Sequence, residues 1–160
     1  NKYVKTIINQ DPVGLEYTAI LKNIIAIACG MAHGLFYGDN FHAVLVSNGI
    51  KEITFFLEKI APSKTRNILH SGYIGDLMVT AYSQFSRNRT FGTMIGKGYT
   101  VQSAQLEMNM IAEGYFAVQG IYKLIQEKAI QMPITEMVYR VLYEKKSVAQ
   151  EMKKLVEMLH

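Results

Sequence analysis

The sequence has little cysteine, little proline and few charges, and each shortage excludes a class of protein. Cys29 is its one cysteine, so an internal disulfide is excluded and the chain suits a reducing compartment. With 3 prolines, 19% charged residues and no low-complexity tract, the composition is that of a folded globular protein and not of a disordered one. We therefore predict a single domain over residues 1–160.

Metal binding and thiol chemistry are disfavoured by the spacing of their usual residues. The four histidines, His33, His42, His70 and His160, form no i, i+4 pair and no HExxH motif, so we expect no metal site. No base stands beside Cys29 in the sequence, which favours a small core residue over a nucleophile.

The positive charge of the chain is dispersed. Its net charge is +4 and its pI is near 9.1, but the basic residues are spread along the sequence instead of forming a block. This distribution favours a small anionic partner over a nucleic acid. The chain opens at "NKYVKTIINQ" with neither an initiating Met nor a signal peptide, so we expect a piece of a longer protein.

Helical periodicity dominates the chain, and a strand signal is confined to residues 1–10, which we interpret as a linker or a strand remnant. Asp11 is the predicted N-cap of a helix of about 24 residues, with Pro12 at its first position. Because apolar side chains surround this helix, we predict that it is the central helix of a bundle. A membrane span is the rival interpretation, and Lys22 near the middle counts against it.

Further helices bring the predicted total to about eight and make the fold class all-α. Gly14, Gly30 and Gly34 in the first helix indicate close helix contacts or bends. The other predicted helices are Asn40–Ile60 behind a cap at Asp39, a short one from a cap at Ser63 to near Gly72, Ile74–Ser83, one capped by Ser86 that ends before Gly96 or Gly98, a short one from Thr100, Glu113–Lys128, one from Pro133, and a last one with a capping box of Ser147 and Gln150.

Lys22 is the only formally charged residue between Glu16 and Asp39. Two interpretations of it stay open. In the first, it is a snorkelling lysine whose stem covers apolar surface. In the second, it is a largely desolvated ammonium that exchanges a proton with an oxygen undergoing carbonyl-to-alcohol chemistry.

A carboxylate downstream is a candidate partner for this ammonium. Asp76 and Thr80, in "GYIGDLMVTAYS", are four residues apart and therefore share a helical face. If the Asp76 carboxylate is buried it needs a partner, and Lys22 would serve. The alternative is an exposed aspartate stabilised by the dipole at a helix N-terminus.

The segment "FSRNRTFG" carries the sharpest signal for anion binding. Ser86, Arg87 and Asn88 stand where a helix begins, so unpaired N–H groups, the positive end of the dipole and a guanidinium would converge there. That combination suits a phosphate monoester. A solvated basic turn is the alternative interpretation.

Taken in order, the segments "DPVG", "LKN", "GDN", "GDLMVTAYSQFSRNR", "AEG" and "MPITEMVYRVLYE" resemble the C-terminal half of the NAD(P)-dependent glycerol-3-phosphate dehydrogenases, from Asp11 to Glu144. The resemblance implies an all-α bundle around a long central helix, like the C-terminal domain of 6-phosphogluconate dehydrogenase. It also implies a cytoplasmic enzyme that interconverts dihydroxyacetone phosphate and sn-glycerol 3-phosphate and supplies glycerophospholipid synthesis. NAD or NADP would be held mainly by an N-terminal Rossmann domain, whose GxGxxG motif is absent from this sequence.

The resemblance also assigns roles to residues. Lys22 would be the catalytic proton donor, while hydride passes from the nicotinamide to the ketone carbon. The implied substrate-binding residues are Lys22, Asn23, Asp76, Thr80, Ser86, Arg87 and Asn88, and the implied cofactor contacts are Arg87, Ile111 and Glu113.

The sequence departs from the common family pattern at three places. Tyr73 and Ile74 stand where "GLGDL" is common, "TAYSQF" replaces a more frequent "TC.S", and Asn48 stands where arginine is expected. Two alternative functions stay open: the helical domain of another hydroxyacid-type dehydrogenase, and a non-catalytic helical module that forms a dimer. A homodimer is also an expectation under the dehydrogenase interpretation.

Overall fold

The computed structural model describes residues 2–3, 6–108 and 110–159, and within them eight α-helices and one π-helix form a bundle without strands. The prediction of an all-α fold with about eight helices is therefore confirmed. Residues 2–3 form a turn and residues 6–10 have no regular structure, while the rest of the predicted strand remnant, like His160, lies outside the described residues. The elements are α1 (Pro12–Gly34), α2 (Asp39–Ile60), a π-helix (Ser71–Gly75), α3 (Asp76–Tyr82), α4 (Arg87–Gly96), α5 (Val101–Glu107), α6 (Glu113–Glu127), α7 (Pro133–Leu142) and α8 (Val148–Met158).

Helix α1 is the central element, as predicted, and α2, α3, α4, α6 and α7 pack around it. The Asp11 carboxylate caps it by accepting from the Gly14 N–H at 3.1 Å, and Pro12 opens its first turn. By length and composition α1 would be able to cross a membrane, yet more than half of its apolar window is buried by the other helices. It is the core helix of this domain and not a membrane span.

Glycines set α1 and α4 in close contact. A Cβ at Gly30 would collide with the Arg89 carbonyl oxygen, and a Cβ at Gly92 would collide with that of Ile27. The same register continues one turn later, where a Cβ on Gly34 would lie 2.5 Å from the Thr93 oxygen. The two helices therefore run side by side in the same direction, and the start of α4 lies against the middle of α1.

Cys29 lies in the core of the bundle and has no exposed surface. Burial raises the pKa of its thiol to about 12, which keeps it protonated and unreactive. Among the described residues, no three His, Cys, Asp or Glu side chains lie close enough together to hold a metal ion.

One predicted helix is wrong. Residues 62–70 form turns and bends, and only Ser71–Gly75 is helical, as a π-helix that leads directly into α3. The side chain of Arg66 explains the difference, because it bonds to the Asp11 carboxylate and to the Leu57 carbonyl oxygen. These contacts to other parts of the chain hold the segment in place of a local helix.

The predicted caps fare unequally. Ser86 and Thr100 cap α4 and α5 by accepting from the N–H groups three residues on. Asp39 is instead the first residue of α2, whose N-cap is Gly38, so the aspartate stabilises the helix through the dipole. Ser147 is the N-cap of α8, but its side chain makes no capping bond within the described part of the chain, so the capping box is not formed.

Candidate functional site

A cavity of about 400 Å³ opens where α1, α3, the start of α4 and the start of α6 meet. The close packing of α1 on α4 brings the N-terminus of α4 to this cavity, opposite the polar pair in the middle of α1. Except for Asp76 and Ile111, every predicted site residue lines it: Lys22, Asn23, Thr80, Ser86, Arg87, Asn88 and Glu113.

The Lys22 ammonium donates to both carboxylate oxygens of Asp76, each at 2.7 Å. The side chain of Lys22 is 20% exposed and that of Asp76 is 41% exposed, so the pair is partly open to water. The ammonium is held at the cavity wall by a carboxylate, which excludes the interpretation of a lysine that merely snorkels into solvent. Asp76 combines both predicted features, because it is also the first residue of α3.

Two neutral side chains flank this ion pair. Thr80 lies one turn after Asp76, and its hydroxyl donates to the Asp76 carbonyl oxygen at 2.7 Å. Asn23 follows Lys22 on α1 and lines the cavity beside it. Together these side chains offer a carboxamide and a hydroxyl within the same cavity as the ammonium.

The N-terminus of α4 forms the opposite wall. Ser86 caps the helix, and the first backbone N–H groups of an α-helix have no partner within the helix. The Arg87 guanidinium is 43% exposed and lies 3.5 Å from a Glu113 carboxylate oxygen. A guanidinium beside a helix N-terminus is a suitable site for a phosphate group.

Asn88 has a second contact that its sequence position does not reveal. Its side-chain oxygen accepts from the Gly114 N–H at 2.9 Å, and the residue is buried. Gly114 leaves no room for a side chain there, because a Cβ would lie 2.9 Å from both the Asn23 carbonyl oxygen and the Asn88 side-chain oxygen. Asn88 therefore ties the start of α6 to the start of α4, which holds Glu113 at the cavity.

Comparisons with known proteins identify the family of the chain. Residues 11–153 match the family model described as the C-terminus of NAD-dependent glycerol-3-phosphate dehydrogenase. The chain belongs to this family. The family membership that the sequence motifs predicted is confirmed.

Curated and solved relatives cover nearly the whole chain. A glycerol-3-phosphate dehydrogenase [NAD(P)+] of Staphylococcus aureus strain JH9 is 43% identical over 157 residues, which are 98% of this chain and 47% of that protein. The crystal structure of the glycerol-3-phosphate dehydrogenase from Coxiella burnetii has a TM-score of 0.89 at 34% identity, over 93% of this chain and 46% of that one. The Saccharomyces cerevisiae glycerol-3-phosphate dehydrogenase, at 22% identity and a TM-score of 0.80 over 89% of this chain and 42% of that one, shares the fold. The chain thus spans about half the length of the relatives it matches.

Ile111, which the family resemblance implies as a cofactor contact, lies outside the main cavity. Ile111 is 63% exposed and lines a neighbouring apolar cavity of about 250 Å³ with Met110 and Phe116. Ile111 precedes Glu113 by two residues, so it lies next to the 400 Å³ cavity without lining it. Its contact with a nucleotide stays a prediction.

Apolar side chains that the sequence reasoning missed also line the cavity. Phe85 and Val79 line it and are largely exposed, although both are large and hydrophobic. The signal available in the sequence is the apolar character of "VTAYSQF" just before the "SRN" segment. Exposed apolar side chains around a polar cavity are typical of a ligand or partner surface.

A second charged cluster lies on the far side of the π-helix. The Asp11 carboxylate accepts hydrogen bonds from two nitrogens of the Arg66 side chain, one from Nε and one from a terminal nitrogen at 3.0 Å. It also accepts a hydrogen bond from the Tyr73 hydroxyl at 2.8 Å. The hydrogen bonds from Arg66 lower the pKa of Asp11 to about 2. Sequence reasoning did not find this cluster, because its members are distant in the chain.

Proposed function

We propose that this chain is the substrate-binding and catalytic half of a dehydrogenase that interconverts dihydroxyacetone phosphate and sn-glycerol 3-phosphate with NAD(P)H. The observation that carries the proposal is the Lys22 ammonium, fixed by Asp76 at 2.7 Å in a cavity whose opposite wall is the N-terminus of α4. A proton donor and an anion site on facing walls match a short substrate with a phosphate at one end and a ketone on the carbon next to the phosphorylated methylene.

The phosphate of the substrate would bind at the start of α4. Arg87 supplies a fork of donors, and Ser86 and Asn88 flank the first-turn N–H groups. Because this wall fixes one end of a small substrate, the ketone is directed to the opposite wall. Orientation of this kind lowers the entropic part of the activation barrier.

Lys22 would donate its proton to the ketone oxygen as the carbon is reduced. The Asp76 carboxylate accepts two hydrogen bonds from the ammonium and therefore keeps it in one orientation at the cavity wall. Asn23 and Thr80 lie where they would bind the hydroxyl groups of the substrate. In the reverse direction, the neutral Lys22 amine would take the proton from the alcohol.

The residues present at the rim fit a dinucleotide. When bound, NAD(P)H supplies the hydride. The Arg87 side chain is 43% exposed and makes two long contacts, to a Glu113 carboxylate oxygen at 3.5 Å and to the Met110 sulfur at 3.9 Å, so it retains donors for an anionic or hydroxyl group outside the substrate site. Glu113 would accept from a ribose hydroxyl, and the exposed Ile111 offers apolar surface. The greater part of the cofactor would be held by an N-terminal Rossmann domain of the same protein.

The proposal is tested by assaying the protein that contains this chain. We expect it to oxidise NADH or NADPH in the presence of dihydroxyacetone phosphate, followed by absorbance at 340 nm. Lys22→Ala would lower the turnover number by about 10²- to 10⁴-fold, the usual contribution of a general acid. Lys123→Ala, which removes a lysine with a mostly exposed side chain on α6, is the matched control and would leave turnover unchanged. Near-normal activity of the Lys22 variant would contradict the assignment.

The wider biological role follows from the same proposal. We infer that the enzyme is a soluble cytoplasmic protein that provides the glycerol phosphate backbone of phospholipids. Comparing turnover on dihydroxyacetone phosphate with turnover on 2-oxo carboxylates separates this function from that of another hydroxyacid-type dehydrogenase. The homodimer stays a prediction, which sedimentation of the intact protein would test.

A further inference from the structure

The segment that presents Asp76 to Lys22 has an unusual backbone. The π-helix Ser71–Gly75 runs directly into α3, and the Asp76 N–H donates to the carbonyl oxygens of both Ser71 and Tyr73. Short π-helices are rare, and they occur often at functional sites because the wider turn redirects the residues that follow. The position of Asp76 therefore depends on how this short segment is held.

Tyr73 is the side chain that holds it. The residue is 2% exposed, and its hydroxyl donates to the Asp11 carboxylate at 2.8 Å. Asp11 in turn caps α1 through the Gly14 N–H and pairs with Arg66. The Asp11 carboxylate is mostly shielded from water, with its side chain 14% exposed, and with these partners it has little freedom to move, so it is a firm anchor for the phenol.

Two contacts thus join α1 to the chain around Asp76. One is the Tyr73 hydroxyl on Asp11 at the start of α1, and the other is the Lys22 ammonium on Asp76 along the same helix. Tyr73 does not line the cavity, so it cannot touch a substrate there. It also stands at a departure from the common "GLGDL" motif, so the tether rests on a residue outside the common pattern.

We propose that Tyr73 is a positioning residue, whose hydrogen bond to Asp11 fixes the π-helix and thereby sets the Asp76 carboxylate against the Lys22 ammonium. This inference rests on the proposed function, because it assigns a catalytic consequence to the geometry of that pair. Without the hydroxyl, Tyr73 keeps its packing and the backbone hydrogen bond from its N–H to the His70 carbonyl oxygen, but the tie to α1 through Asp11 is lost. Asp76 then samples positions in which the ammonium is turned away from the ketone oxygen.

The test is Tyr73→Phe in the protein that contains this chain, assayed with dihydroxyacetone phosphate and NAD(P)H. We expect kcat to fall about fivefold or more while KM changes less than about twofold, because orientation is lost and the phosphate site is untouched. Tyr143→Phe is the matched control, since it removes a tyrosine hydrogen bond of equal length, to the Tyr115 carbonyl oxygen at 2.8 Å, far from the π-helix. The control would leave kcat and KM unchanged at a similar thermal midpoint.

A double variant distinguishes positioning from general structural support. In an Asp76→Asn enzyme, which retains Lys22 and hence measurable turnover, adding Tyr73→Phe would produce no further loss, because the pair that it positions is already broken. An equal fold-loss in both backgrounds, a rise in KM, or unchanged kinetics of Tyr73→Phe would overturn the inference and leave the proposed function intact. An intact protein that does not reduce dihydroxyacetone phosphate would overturn both.

Discussion

Two carboxylate and cation pairs join α1 to the segment that runs from Arg66 to the first residue of α3, and they differ in their access to water. Asp11 and Arg66, the enclosed pair, have side chains 14% and 8% exposed. Asp76 and Lys22, the open pair, have side chains 41% and 20% exposed, and Lys22 lines the cavity of about 400 Å³. In the enclosed pair, the Asp11 carboxylate also accepts hydrogen bonds from the Gly14 N–H, which it caps, and from the Tyr73 hydroxyl. In the open pair, the Lys22 ammonium lies where a small molecule in the cavity would reach it. Under the proposed function, similar ion pairs a few turns apart have different uses: the enclosed pair stabilises the fold and anchors Tyr73, and the open pair would supply the proton.

The sharpest way to separate the two pairs is to exchange the cation type in the open one. Lys22→Arg would keep a charge-assisted contact with Asp76, but a guanidinium does not release a proton at physiological pH. We therefore expect kcat to fall by about 10²- to 10⁴-fold, with an unchanged urea midpoint. Steady-state kinetics and urea unfolding of the same preparation measure both quantities. A variant that keeps its activity would show that Lys22 supplies charge alone.

In the enclosed pair, removal of the carboxylate should lower the free energy of unfolding, which the exchange in the open pair leaves unchanged. Asp11→Ala leaves the buried Arg66 guanidinium without its counter-ion, so the free energy of unfolding would fall by about 3 kcal/mol. Asp76→Ala, the control from the open pair, would lower it by about 1 kcal/mol or less, as is usual for a partly exposed pair. Equal losses in urea denaturation would remove the distinction between the pairs.

A milder change tests whether the enclosed pair needs the planar fork of arginine. Arg66 contacts Asp11 through two nitrogens and also reaches the Leu57 carbonyl oxygen, which an ammonium would not do together. Arg66→Lys would lower the free energy of unfolding by about 1 kcal/mol and leave kcat within about twofold. A stability equal to that of the unmodified protein would mean that charge, and not geometry, holds the segment.

The two regions also differ in how far the sequence predicts them. The starts of α1 and α4 were predicted correctly, because the caps at Asp11 and Ser86 act within one turn. The pairing of Lys22 with Asp76 was one of two interpretations that the sequence left open, and it is the one observed. Gly30 and Gly34 indicated close helix contacts or bends, and the contact is with α4, which their spacing did not identify.

The segment between α2 and α3 was not predictable in the same way. A cap at Ser63 suggests a helix, but the bonds that shape the chain there connect residues 55 and 62 positions apart. The use of the Asn88 carboxamide to hold Gly114, 26 residues away, was missed for the same reason. Local patterns report local hydrogen bonds, and both failures lie where the side-chain partner is distant in sequence.

The smallest effect that we expect is a difference in acid stability, and it isolates the enclosed pair. The pKa of Asp11 is lowered from 3.8 to about 2 in the folded protein, chiefly by the hydrogen bonds from Arg66. A carboxyl group with a depressed pKa stabilises the fold above its unfolded value, and that contribution is lost as the pH falls toward 2. The unmodified protein should therefore unfold at a higher urea concentration than the Asp11→Asn variant. This difference in urea midpoint should be constant above about pH 5 and shrink between pH 4 and 3. A constant advantage across that range would mean that the Asp11 contacts act through hydrogen bonding without regard to charge, so the enclosed pair would no longer be an ion pair in the energetic sense.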